Sequence, residues 1–298
     1  ALVAALAGCQ PADAPTTGST PAASQQSGDA AVDAAFADLS KRALDTWMQL
    51  SPASATQIGD HRYDSEIDDL SAAGQQKTVD AYKGLLAELD KIDVAKLGRE
   101  NQVDAAILRN QLQSEIWNSD VLQSGKWDPQ LYNGLAGSAL YGLMAREFAP
   151  LPDRLKSATA RMEKLPAIFA QARENLDPAR VPKIHAETVA KQNKGILSIV
   201  DTFITPHIGE LPQADQQRLQ AAIDGLKKAV DEQQAWLDKT LVPNAKGDFR
   251  IGAEKYDQKL KFAPISSLSL HALRARPPAQ PNRLRVAISR SAQLPLPG

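Results

Sequence analysis

The sequence contains a single cysteine, Cys9. One thiol excludes an intramolecular disulfide, and it also excludes a zinc site built from several cysteines. After residue 10, no apolar run approaches the roughly 20 residues that a membrane-spanning helix needs. A surplus of positive charge is also lacking, because 34 basic residues stand against 35 acidic ones. Nucleic-acid-binding domains usually carry a basic surplus, so we expect no nucleic-acid partner.

Sequence motifs of familiar catalytic sites are missing as well. We find no Gly-x-Ser-x-Gly, no phosphate-binding loop and no dinucleotide fingerprint. No two histidines are four residues apart, the spacing that places two imidazoles on one helical face. His185 and Glu187 are the nearest approach to a metal-binding pair, but Pro182 just upstream indicates an exposed first helical turn. We therefore predict no catalytic residue, metal ligand or cofactor in this chain. The four histidines are His61, His185, His207 and His271.

The N-terminal sequence resembles the end of an export signal. Residues 1–8 are apolar or small, and Leu6, Ala7 and Gly8 directly precede Cys9. This order resembles the bacterial lipobox, in which the cysteine is lipidated and becomes the new N-terminus. The alternative is an Ala-rich start with a chance cysteine. Gln10, rather than Asp, follows the cysteine, and by resemblance to known sorting signals this favours the outer membrane. The start of the signal is expected to precede residue 1.

Residues 10–31 are rich in Pro, Thr, Ser, Gln, Ala and Gly and contain no large apolar side chain. Such a segment cannot bury enough surface to fold, and we interpret it as a flexible tether between the lipid and the domain. The expected location is the bacterial cell envelope, with the chain anchored by lipid and facing the periplasm.

Residues 32–262 show helical periodicity almost throughout. Apolar residues recur at spacings of three and four, which places one apolar stripe along each helix. Pro and Gly residues divide the body into several helices, with Ser71 as a candidate helix cap. A glycine-bearing stretch from Trp127 to Met144 leads to the next helix, and one helix is expected from about Lys183 to Thr205. The sequence therefore predicts an all-α array of long amphipathic helices. The clearest stripes are Val79, Tyr82, Leu86 and Leu89, and Leu219, Ile223, Leu226, Val230 and Leu237.

Two groups of residues could have a role beyond packing. Residues 59–64 place His61 among Asp and Arg residues on a loop, where binding residues often lie. We favour a structural role, a loop held by hydrogen bonds from Asp and His to the backbone. The tryptophans lie on or near apolar stripes, which favours core anchors over a ligand cage. They are Trp47, Trp117, Trp127 and Trp236.

Four segments in order resemble domain-of-unknown-function family 885 of bacteria: residues 51–64, 101–108, 148–166 and 247–256. The resemblance covers roughly residues 33–262. It implies a helical protein that is often exported as a lipoprotein, and full-length members look like zinc metallopeptidases. Their His-Glu-x-x-Pro-Gly-His-His type motif follows downstream of the last segment. This chain contains no such motif, so the resemblance transfers no catalytic or zinc-binding residue to it.

Residues 263–298 differ in composition from the rest. They contain five arginines and six prolines but no Asp, Glu or Lys, whereas the chain up to Phe262 carries a net charge of −6. A GC-rich gene translated out of frame gives this composition. We therefore hypothesise a frameshift near codon 263, and a genuine disordered or partner-binding tail is the alternative.

Two functions follow from these observations. The first is a truncated, catalytically inactive N-terminal scaffold of an exported zinc-metallopeptidase-like lipoprotein. The second is a standalone periplasmic helical module that binds peptides or a protein. The scaffold hypothesis predicts exposed apolar stripes where further helices should pack.

Overall fold

The structure is a computed structural model that describes residues 28–263. Cys9, most of the predicted tether and the tail from residue 264 lie outside this range. The described residues form helices and connecting turns, with a single isolated parallel bridge between Pro182 and Gly247 and no strand. The predicted all-α class is confirmed. The helices are α1 (Ala30–Leu50), α2 (Pro52–Ile58), α3 (Ala72–Leu89), α4 (Arg99–Trp117), α5 (Gln130–Met144), α6 (Leu151–Asn175), α7 (Lys183–Gln192), α8 (Gly195–Phe203), α9 (Gln213–Trp236), α10 (Val242–Asn244) and α11 (Ala253–Leu260).

The first hydrophobic cluster joins α1, α3 and α4. Phe36 on α1 packs with Tyr82 and Leu89 on α3 and with Leu112 on α4. The predicted cap of α3 is confirmed, because Ser71 Oγ accepts a hydrogen bond from Gly74 N at 3.0 Å. A cap of this kind satisfies one of the free N–H groups at the start of a helix.

A second, larger cluster joins α5 to α9, with α6 at its centre against α5 and α9. The apolar stripe predicted for α9 is fully used, since each of its members is buried. Burial of a Leu, Ile or Val side chain contributes about 1.5–3 kcal/mol, so this stripe is a major source of stability. Its members are Leu219, Ile223, Leu226, Val230 and Leu237.

The structure differs from the predicted helices in two places. The glycine-bearing stretch after Trp127 forms α5, where Gly142 lies close to α2, because an added Cβ would be 3.7 Å from Thr56 Cγ2. Small residues there allow two helices to approach each other. The predicted single helix after Pro182 is divided into α7 and α8 at Asn193, whose buried side chain donates to Val230 O at 3.0 Å.

None of the helices between residues 28 and 263 is both long enough and apolar enough to cross a membrane.

Candidate functional site

A wide groove lies where the described chain ends. It encloses about 990 Å³ and is open to solvent. Four of its lining side chains are aromatic, and two of these, Phe249 and Tyr256, are 53% and 41% exposed. The charged groups of its lining are Arg250 and Lys259, both basic. The groove is lined by Ser114, Trp127, Phe249, Arg250, Ile251, Gly252, Ala253, Tyr256, Lys259, Leu260, Phe262 and Ala263.

The rim of the groove depends on two glycines that flank Phe249. Gly247 N donates to Val181 O at 2.9 Å, and a Cβ at this position would lie 1.9 Å from Arg180 O. Only glycine allows this close approach of two backbones. Gly252 has φ +84°, a conformation that side-chain-bearing residues rarely adopt, and it starts α11. The local sequence thus turns the chain back over the end of α4.

Side chains of α4 hold α11 in place. Trp117 Nε1 donates to Gln258 Oε1 at 2.7 Å, and its ring lies 5.8 Å from the ring of Phe262. Asn110 Nδ2 donates to Phe262 O at 3.0 Å. These contacts fix the last described residues against α4.

Trp127 also lines the groove, and it follows a backbone segment of unusual geometry. Residues Asn118–Leu122 form a π-helical turn, and Gln123 has a positive φ of 55°. A non-glycine residue in the left-handed region costs about 1–2 kcal/mol, which tertiary contacts must offset. One such contact is the hydrogen bond from Arg180 Nη1 to Gln123 Oε1 at 2.8 Å.

His185 lies directly behind Trp127, with 6.0 Å between the two ring centroids. Its Nδ1 is 3.5 Å from Asp128 Oδ1, and it has no hydrogen-bond partner among residues 28–263. Glu187 faces Lys183 instead, at 3.9 Å. The predicted position of His185 in the first turn of α7 is correct, but its side chain is half-buried rather than exposed.

The zinc ion that the family resemblance implies does not fit residues 28–263. No three His, Cys, Asp or Glu side chains of this range come together as metal ligands. The His185 and Asp128 pair would supply two donors at most. His207 pairs with Glu210 at 2.7 Å on an exposed turn, and His271 lies outside the described residues.

The His61 loop is built around Asp64. One carboxylate oxygen of Asp64 accepts from Thr56 Oγ1 at 2.6 Å, and the other lies 3.0 Å from His61 Nδ1. The imidazole stacks on Phe148 with 3.6 Å between centroids and 10° between planes. A structural role therefore accounts for these contacts, although Asp64 bonds side chains rather than the backbone as expected.

Arg161 of α6 also holds this loop in place. It is fully buried, and its guanidinium donates to four backbone carbonyls and one hydroxyl. Burial lowers the pKa of Arg161, and the nearby carboxylates, Asp64 first among them, act in the opposite direction. The acceptors are Glu66 O at 2.8 Å, Ala139 O at 2.8 Å, Pro52 O at 3.0 Å, Tyr63 O at 3.3 Å and Thr56 Oγ1 at 2.7 Å.

Comparison with known families decides the classification. The profile of a family described as a bacterial protein of unknown function, DUF885, matches residues 52–293, which is more than half of the chain. The chain belongs to the DUF885 family. The resemblance predicted from its four segments is confirmed.

A solved structure supports the fold of this DUF885 chain. It is that of a candidate lipoprotein of unknown function from Shewanella oneidensis, with 31% sequence identity and a TM-score of 0.73. The match covers 78% of the present chain and 43% of the Shewanella chain. The DUF885 chain thus spans less than half of the length of this relative. No curated protein matches.

Two of the four DUF885 segments meet in space. Residues 51–64 and 148–166 meet through Arg161 and through the stack of His61 on Phe148. Residues 101–108 lie on α4, and residues 247–256 form the rim of the groove. The contact between residues 51–64 and 148–166 is a buried structural connection, whereas residues 247–256 lie at the open surface of the domain.

The DUF885 match continues beyond Phe262 to residue 293. It therefore includes most of the segment for which we hypothesised a frameshift. A match across this segment favours translation in the family's frame, and the frameshift stays a prediction that sequencing of the gene tests.

Sequence reasoning did not identify the groove. Trp47 and Trp236 pack against the hydrophobic clusters as core anchors, but Trp127 lines the groove. The signal that could have indicated it is the presence of two aromatic residues, Phe249 and Tyr256, in a segment rich in charged residues.

Proposed function

We propose that this DUF885 chain is a non-catalytic helical scaffold of an exported lipoprotein. It would be held at the bacterial envelope by a lipid on Cys9 and would face the periplasm, with the outer membrane as the favoured site. The family membership and the candidate lipoprotein from Shewanella oneidensis support this proposal.

The observation that carries the proposal is the open aromatic groove at the end of the described chain. Phe249 and Tyr256 expose rings that a complete domain would normally cover. The match covers 43% of the Shewanella chain, so more than half of that relative lies outside the part that this chain matches. We infer that the groove is one wall of a larger site whose other walls come from such residues.

The groove offers binding chemistry rather than catalysis. Aromatic rings contact apolar groups, and Arg250 and Lys259 attract a negative charge. A peptide with apolar side chains and a free or side-chain carboxylate would match both features. Peptides are therefore the ligand class that we propose for the complete site.

The test of inactivity is a hydrolysis assay. The purified chain is incubated with a mixture of peptides and added zinc, with an established zinc metallopeptidase as the positive control. We expect no cleavage above the background without protein. Zinc-dependent cleavage that a chelator removes, and that copurifies with the folded chain, would contradict the scaffold proposal.

A standalone periplasmic binding module is the second candidate. Its support is the two hydrophobic clusters, which contain buried residues from α1 and from each helix between α3 and α9. The test is titration of fluorescent acidic peptides into the chain. The double variant Phe249→Ala/Tyr256→Ala should weaken binding at least fivefold, whereas Leu44→Ala, another exposed apolar side chain, should leave it unchanged. Absence of saturable binding excludes this second function.

A further inference from the structure

The outer side of α4 carries a second open surface, which goes beyond the proposed function and does not depend on it. Glu100, Val103, Asp104 and Ile107 follow one another at helical spacings, so all four lie on one face of α4. Val103 is 43% exposed and Ile107 is 61% exposed. We call these four residues the α4 face.

The α4 face combines apolar side chains with unpaired negative charge. Glu100 and Asp104 are exposed, and neither forms an ion pair with any residue between 28 and 263. By contrast, Arg109 on the same helix is paired with Asp90. An apolar surface flanked by two free carboxylates is complementary to a segment that carries arginines and apolar side chains.

The position of the chain end points to the occupant. The hydrogen bond from Asn110 Nδ2 to Phe262 O places the last described residues beside α4, and Asn110 lies one helical turn after Ile107. The chain therefore leaves the described domain at one end of the α4 face. The distance along α4 from Asn110 to Val103 is about 10 Å, at 1.5 Å per residue. A few extended residues can span it.

The segment that begins there has the matching composition. Residues 264–298 contain five arginines and no acidic residue, together with apolar side chains such as Leu284, Val286 and Ile288. The DUF885 match extends over this segment to residue 293. The groove, which Phe262 and Ala263 also line, is a poorer match for it, because its charged lining residues, Arg250 and Lys259, would repel the arginines.

We propose that the α4 face is the docking surface for residues 264–298 of the same chain. Arginines of this segment pair with Glu100 and Asp104, and its apolar side chains cover Val103 and Ile107. The interaction connects the helical domain to its own C-terminal segment and removes an exposed apolar stripe from solvent.

The experiment is photo-cross-linking in the full chain, with a benzophenone amino acid in place of Ile107. After irradiation and digestion, mass spectrometry should find the cross-link in residues 264–298 of a monomeric product. The double variant Glu100→Lys/Asp104→Lys should lower the yield by roughly fivefold. Replacement of the five tail arginines by glutamate in that background should restore it. The matched control, Glu174→Lys/Asp201→Lys, reverses two exposed acids on α6 and α8 and should leave the yield unchanged.

Three results would overturn this proposal. The first is a cross-link found only in covalent dimers, which would make the α4 face an interface between copies. The second is a yield that does not respond to charge reversal. The third is a gene sequence in which another reading frame continues the chain after codon 263, because residues 264–298 would then not be those of the family protein. None of these results bears on the hydrolysis assay that tests the scaffold proposal.

Discussion

Arg161 Nη2 lies 2.7 Å from Thr56 Oγ1, although 105 residues separate the two in the chain. Thr56 in turn donates to Asp64, so a buried guanidinium, a hydroxyl and a carboxylate form one continuous path. This path joins the first and third DUF885 segments. Because a buried acceptor without a donor costs more than a hydrogen bond contributes, removal of Arg161 should affect the whole loop.

The replacement Arg161→Met should lower the free energy of unfolding by about 3–5 kcal/mol, because it leaves buried carbonyls and Thr56 Oγ1 without their donor and removes the positive charge near Asp64. Urea unfolding followed by circular dichroism would measure the change as a lower midpoint. The control is Arg218→Met, which removes an exposed pair with Glu163 and should cost about 0–1 kcal/mol. Equal effects of the two replacements would show that the buried network is not a special source of stability.

Asp33 should make the stability depend on pH in the acid range. Its carboxylate accepts from Asn101 Nδ2 at 2.8 Å and from Gly98 N at 3.0 Å, and these hydrogen bonds lower its pKa. The folded state therefore favours the charged form, so this contribution is present above the unfolded pKa of about 3.9. It is lost as the pH falls through the lower pKa of the folded state.

We accordingly expect Asp33→Asn to be less stable than the parent chain at pH 7 and to approach it as the pH falls below about 4. Thermal unfolding at several pH values would measure this difference. Asp38→Asn, which removes an exposed carboxylate from the same helix, serves as the matched control. A constant deficit of Asp33→Asn at all pH values would contradict this assignment.

Gly247 should tolerate no side chain. Gly247→Ala places a methyl group 1.9 Å from Arg180 O, so the backbone must move, at a cost of about 1–3 kcal/mol. Gly225→Ala is a matched comparison, because it lies within α9 with open space around it, and it should stabilise by about 0.5–1 kcal/mol. Chemical denaturation of both variants would measure the two changes. If they have the same sign, the close contact at Gly247 is not maintained in solution.

Cys9 should be required for membrane attachment. In cells that express the gene and take up an alkyne-labelled fatty acid, the parent chain should carry the label and enter the detergent phase. Cys9→Ser should abolish both. Gln10→Asp should keep the label but move the protein toward the inner-membrane fraction. Label on Cys9→Ser would mean that the anchor lies elsewhere.

Much of the helical architecture could be predicted from the sequence alone. The stripe of α9 and the Ser71 cap are local patterns whose spacing and chemistry follow directly from helix geometry. By the same logic, the order of four short segments was enough to indicate the family. The glycines of α5 were misleading, because the sequence does not distinguish a glycine that permits close helix packing from one that ends a helix.

The groove and the α4 face could be recognised only from the tertiary structure. The pattern of α4 contains apolar residues on more than one side, and local spacing cannot show which of them face a neighbour. Ala105 and Leu112 are buried because α1 and α3 pack on that side, whereas Val103 and Ile107 stay exposed. Likewise, Trp127 and Tyr256 are 129 residues apart in the sequence. The turn at Gly252 helps to bring them to one groove. Burial depends on such long-range contacts, and they are set by the packing of the whole domain rather than by the local sequence.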